Sequence, residues 1–137
     1  MPTSEERVRN AVVGYIAAQG YSDNLDVKAD DEHGVDVFAT HRDSAARRIF
    51  IEAKGDSKKG NRTLSIQIAW GQIASRVSAL NPNRIHGLAF PSEWEDNVAR
   101  LTSHIVARRL NVHYYFVSKG GKVREYTAAQ FERKHSQ

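Results

Sequence analysis

The chain has 137 residues, 40% of them hydrophobic and 26% charged, which are the proportions of one globular domain spanning 1–137 and not of a disordered, repetitive or membrane-spanning chain. Its lack of cysteine excludes disulfides, thiolate metal sites and a catalytic thiol. The formal charge of +4 is unevenly divided: residues 1–60 carry nine Lys/Arg against eleven Asp/Glu, a net −2, and residues 61–137 carry eleven against five, a net +6. A basic half attracts polyanions such as nucleic acid, the competing reading being a solvated basic surface. The polar opening MPTSEER and the absence of an apolar run near the ~20 residues of a membrane helix lead to the expectation of a cytoplasmic protein.

In chain order, Val8, Ala11, Val12, Tyr15 and Ile16 recur at helical spacing between Ser4 and Gln19, and Gly20 is the stop signal. Three short strands follow, LDVKA (25–29), GVDVFAT (34–40) and RRIFIEAK (47–54), read as a meander. After the basic, glycine-bounded loop 55–62, a second helix is marked by Ile66, Ala69, Ile73, Val77 and Leu80 and ends near Asn81-Pro82. RIHGLAF (84–90) is a buried strand. A third helix starts at Pro91-Ser92, with Ser92 and Glu95 at capping-box spacing and Trp94, Val98, Leu101 and Ile105 on one face. NVHYYFVS (111–118), a turn at 119–122 and the return VREYT form a closing hairpin. The order αβββαβαββ predicts an α/β fold, a mixed sheet with helices on both faces, in which the strands at 47–54 and 84–90 run parallel.

Glu52 and Lys54, two apart on a strand, project from the same face. An acid and an amine at the end of the apolar run IFIEAK are hard to explain as packing, because buried charge is costly unless paired or bound to metal. Asp36 sits in a similar setting in GVDVFA. If the two strands are neighbours, Asp36 and Glu52 converge as oxygen ligands for Mg²⁺ or Mn²⁺, with Lys54 beside the ion. The competing assignment is a structural ion pair with Lys54, Arg47 or Arg48.

Asp36 followed by Glu52-Ala53-Lys54 resembles the PD-(D/E)XK nuclease superfamily, with Val35 where proline can precede the first acid. Gly55 after the lysine and the helix IAWGQIASR (Gly71, Gln72, Ile73, Arg76) resemble members with G-Q-I-x-x-R after E-x-K-G. The resemblance covers roughly residues 4–90. It implies a three-layer restriction-endonuclease-like fold and a Mg²⁺-dependent nuclease, with DNA favoured over RNA as substrate. In that reading Asp36, Glu52 and the Ala53 carbonyl hold the metal, and Lys54 acts on the water or the added charge. An acid of the first helix adds to the site in many such enzymes. Glu5 is expected in that role, since Thr3 and Glu6 have capping-box spacing and Glu5 lies at the edge of the packed face; the competing role of both acids is to favour the helix dipole. Two alternatives stand beside this reading: a non-cleaving nucleic-acid-binding relative, and a metal-dependent hydrolase of small phosphate esters. By analogy, such a small nuclease would dimerise to cut both strands.

Gln72 and Arg76 fall within ~40° of each other beside the apolar face of their helix, facing substrate or merely solvating the flank. Lys58, Lys59 and Arg62 are candidate phosphate contacts, or else a solvated loop. The histidines show no metal-ligand spacing.

Overall fold

The structure, a computed structural model, describes residues 3–28, 35–57 and 60–136. Six strands form one open sheet in sequence order: β1 (Tyr21–Val27), β2 (Val37–His41), β3 (Ser44–Ala53), β4 (Arg84–Pro91), β5 (Val112–Val117) and β6 (Val123–Thr127). The first three form the expected antiparallel meander, β3, β4 and β5 are parallel, and β6 returns antiparallel. The helices are α1 (Glu5–Ala18), α2 (Arg62–Ser75), α3 (Glu95–Arg100), α4 (His104–Arg109) and α5 (Ala128–His135). None of them is long and apolar enough to cross a membrane.

Parallel neighbours require crossovers, and right-handed crossovers in one direction put their helices on one face. Thus α2, between β3 and β4, and α3 and α4, between β4 and β5, share a core with α5. It is built from Ile66, Ala69, Ile73, Leu88, Phe90, Trp94, Val98, Tyr114, Phe116 and Phe131. On the other face Val8, Val12 and Ile16 of α1 meet Val37, Ala39, Ile49, Ile51 and Ala53. Burial of each of those helix side chains is worth ~1.5–3 kcal/mol.

Several expected boundaries move. Gly20, at φ +102°, reverses the chain so abruptly that β1 begins at Tyr21 and not at Leu25. The strand expected over 34–40 begins at Val37, so Asp36 immediately precedes it, while β3 reaches back to Ser44. The second helix closes at Arg76, leaving Val77 and Leu80 outside it, with Leu80 exposed. The expected third helix is broken into a 3₁₀ turn (Ser92–Trp94), α3 and α4. Thr102 Oγ1 donates back to Val98 O at 2.7 Å, and Ser103 caps a new helix that leaves Ile105 exposed. Ser92 caps nothing, and Glu95 is instead buried in an ion cluster.

The sequence reading also omitted α5, making the order αβββαβααββα. Its signal was present: Thr127 and Gln130 form a capping box, and Phe131 anchors the helix on β5 and β6.

Gly87 lies in β4 between Ile51 and Tyr115, and a β-carbon there would stand 2.8 Å from Ile51 Cγ1 and 2.9 Å from Tyr115 Cε2. Gly87→Ala is expected to cost ~1–3 kcal/mol, read as a lower urea midpoint. An unchanged midpoint would mean that this face of the sheet yields freely.

Candidate active site

Strand parity assembles the site. In β3, Ile49, Ile51 and Ala53 pack towards α1, so Phe50, Glu52 and Lys54 face α2. Val37 pairs with Ile51 and Phe38 with Phe50; the same register sets Asp36 directly opposite Glu52. The Asp36 carboxylate also accepts a 2.7 Å hydrogen bond from the Ala53 N–H, which fixes it against the end of β3. Ala53 turns its amide edge towards β2, whereas Lys54 donates its N–H to Ala89 O of β4 at 3.0 Å.

Glu52 is 1% exposed. Burial first, then the charge and hydrogen bond of Asp36, push its carboxyl up to about 8, against the opposing pull of Arg76 and Lys54. At neutral pH it therefore holds a proton. Two other part-buried glutamates behave oppositely. At Glu95, burial raises the pKa but is outweighed by hydrogen bonds from Lys134 and His135, so the carboxyl falls below its ordinary value. At Glu125, burial is likewise outweighed, by hydrogen bonds from His113 and Gln19. Those acids have structural partners; Glu52 faces another acid.

From α2, Arg76 Nε approaches Glu52 Oε1 to 3.6 Å, beyond hydrogen-bond length. Among the described residues, Glu52 Oε1, Arg76 Nε and, one turn earlier, Gln72 Oε1 are all buried without a hydrogen-bond partner. Folded proteins rarely leave buried polar atoms unsatisfied, and here three lie in one quarter of the molecule. Gln72 also lines a cavity of about 480 Å³, together with Glu5, Glu6, Asp36, Lys54 and Asp56 among others. Gln67 of the same helix is exposed and does not line it.

Glu5 reaches this cavity because residue 55 is glycine. A β-carbon at Gly55 would lie 2.2 Å from Glu5 N and 2.3 Å from Ser4 C, so only glycine lets the start of α1 come this close. This helix end differs from the expected one. Ser4, not Thr3, is the N-cap, accepting from Arg7 N at 3.2 Å, so the Thr3–Glu6 capping box does not form. Glu5 does carry a structural partner, Arg9 at 3.5 Å. Glu6, freed of capping, lines the cavity beside Glu5.

The candidate phosphate contacts divide. Lys58 and Lys59 lie outside the described residues. Arg62 donates to Asn97 Oδ1 at 3.1 Å and lies over the Trp94 ring, and Arg76 is turned to Glu52. Asp56, beside Gly55 on the cavity wall, was missed by the sequence reading, although an acid directly after E-x-K-G was its signal.

Among the described residues, no group of three or more Asp, Glu or His side chains is gathered closely enough to hold an ion as it stands. What converges is two carboxylates and the Ala53 amide edge, with Glu5 at the margin. Oxygen donors alone suit a hard divalent cation such as Mg²⁺, whose charge would relieve the repulsion between Asp36 and Glu52. No protein-family model, curated protein or solved structure matches the chain; the fold and site define an α/β protein with an acidic pocket at the end of its central parallel strands.

The raised Glu52 gives a signed pH dependence. Between the ordinary glutamate range and about 8, the folded protein holds a proton that the unfolded chain has lost. This contribution to stability is therefore full in acid and disappears as pH rises through about 8. The metal-free melting temperature should fall from pH 5 to pH 8.5, by at most ~1.4 kcal/mol of stability per pH unit for one proton, and Glu52→Gln should remove most of that slope. An identical slope in the variant would mean that Glu52 ionises normally.

Proposed function

We propose that this chain is a Mg²⁺-dependent nuclease of the PD-(D/E)XK type with a restriction-endonuclease-like fold, hydrolysing phosphodiester bonds, in DNA by preference. The observation that carries the reading is the buried Glu52 set opposite Asp36, with no cation within hydrogen-bond distance among the described residues and with Lys54 on the same face at a cavity. A purely structural acid would have been given a cation within hydrogen-bond reach, as Glu95 was.

Asp36, Glu52 and the Ala53 carbonyl would hold the ion, with Glu5 as a further carboxylate from the first helix. When bound, a divalent cation supplies Lewis-acid stabilisation of a phosphoryl oxygen and lowers the pKa of a coordinated water. The diester is anionic, and among the described residues its pocket presents four carboxylates, Glu5, Glu6, Asp36 and Asp56, against the single ammonium of Lys54. A divalent cation held there would supply the counter-charge that the diester needs. Lys54 donates to the attacking water or to the oxygens on which charge builds. Gln72 offers an amide to the same cavity, able both to donate to a phosphoryl oxygen and to accept from the nucleophile. A cation held by Asp36 and Glu52 would leave the Arg76 guanidinium, now turned to Glu52, available to a phosphate. The basic second half of the chain supplies sequence-independent attraction to the backbone.

The test is cleavage of circular and linear, single- and double-stranded DNA and of RNA in Mg²⁺, Mn²⁺ or EDTA. Lys54→Ala should lose at least ~100-fold in rate while melting temperature and DNA binding stay near wild type. Cleavage within a few-fold of wild type would remove Lys54 from the chemistry. On α2, Gln72→Ala should reduce the rate at least tenfold and Gln67→Ala should leave it unchanged; the reverse order would place the substrate on another face of the helix.

A further inference from the structure

The first turn of α1 brings Glu5 and Glu6 to the cavity, yet the helix's anchoring side chains, Val8, Val12 and Ile16, all come later. Something else must hold its start. Asp56 does so through three contacts. Its backbone N–H donates to Thr3 O at 2.8 Å, its Oδ2 accepts from Thr3 N at 3.2 Å, and its Oδ1 accepts from Trp94 Nε1 at 3.2 Å. Thr3 is 1% exposed and Trp94 2%, so both bonds from the carboxylate are made to buried partners, where hydrogen bonds to a charged group are strongest.

We infer that Asp56 is a positioning residue for the metal site, setting how far the first helix delivers Glu5 towards Asp36 and Glu52; the inference rests on the metal-dependent reading above. Asp56 lines the cavity as those acids do, but each of its oxygens is already engaged by an N–H group on a different element. It clasps the residue before the α1 N-cap, on one side, and the turn that follows β4, on the other. Both contacts start from the loop that directly continues the strand of Glu52 and Lys54. Gly55 permits the approach and Asp56 fixes it, so strand end and helix start move together. Glu5 stands two residues beyond the clasped Thr3, before any of the helix's apolar contacts with the sheet, and a loosened clasp would let it withdraw without unfolding the helix.

The experiment is Mn²⁺ calorimetry on the full chain for wild type, Asp36→Asn, Glu5→Gln, Asp56→Asn and the Glu5→Gln/Asp56→Asn double variant, each well below its melting temperature. Asp56→Asn keeps an acceptor for Trp94 but meets the Thr3 N–H with an amide nitrogen. It should weaken Mn²⁺ about tenfold, and the double variant should bind within about twofold of Glu5→Gln alone, because both changes remove the same interaction. If Asp56→Asn does not fold, Trp94→Phe, which deletes one donor to Asp56, should weaken Mn²⁺ about threefold by the same coupling to Glu5. Wild-type affinity in the folded Asp56 variant, or in Trp94→Phe where that replaces it, would overturn the proposal. So would losses that multiply in the double variant, since Asp56 would then act as a ligand in its own right. Wild-type protein that binds no Mn²⁺, or Asp36→Asn that binds it unchanged, would overturn the metal reading itself and this proposal with it.

Discussion

Two carboxylates held face to face, one of them buried, is an arrangement that a folded chain tolerates only at a cost. Asp36 and Glu52 lie opposite each other because antiparallel register and strand parity leave them no other place. Register is in turn enforced by the apolar residues between them, since a one-residue slip of β3 would turn Ile49 and Ile51 out of the α1 core and Glu52 into it. The hydrophobic layer under α1 thus acts as the jig that presses two like charges together on the opposite face. A proton on Glu52 is the chain's own answer to that repulsion, and a bound cation would be another.

The rest of the architecture frames this point. Parallel pairing of β3, β4 and β5 aligns their C-terminal ends, and the crossovers between them fix which face their helices cover. α2 therefore descends from the loop after β3 across the face carrying Glu52, and it places Gln72 and Arg76 one turn apart beside the acid. On the far side α1 packs along the sheet with its N-terminus at the same end, so that the positive pole of its dipole and its two first-turn acids meet the pocket. The loop from Gly55 onward joins the two helix starts.

Elsewhere the molecule handles buried acid in the ordinary way. Glu125 takes hydrogen bonds from His113, Tyr15 and Gln19 and ties the hairpin of β5 and β6 to the end of α1. Glu95 gathers Arg124, Lys134 and His135 and ties α5 and β6 to the start of α3. Each cluster fastens a late element to an earlier one. The chemical oddity of Glu52 is visible only against that background, because burial is common to all three and of the three it is Glu52 that is set against another acid.

The sequence by itself determined much of this. Period-two patterning around Ile49, Ile51 and Ala53 put Glu52 and Lys54 on a common face. Helical spacing located α1 and α2, and the helix between two apolar strands made β3 and β4 parallel, all from interactions within a few residues of each other. Local signals failed where a neighbouring element or a short capping contest decided the outcome. The third helix broke at Thr102-Ser103, α5 formed from a capping box that the pattern of apolar residues did not advertise, and the first helix was capped one residue later than its spacing suggested. What only the tertiary structure decided is which other distant groups meet: Asp36 with the Ala53 N–H, Arg76 with Glu52, and Asp56 with Thr3 and Trp94. Those pairings join residues up to 53 positions apart, and their distances depend on sheet register, crossover hand and a single missing β-carbon at Gly55, none of which a local stretch of sequence contains.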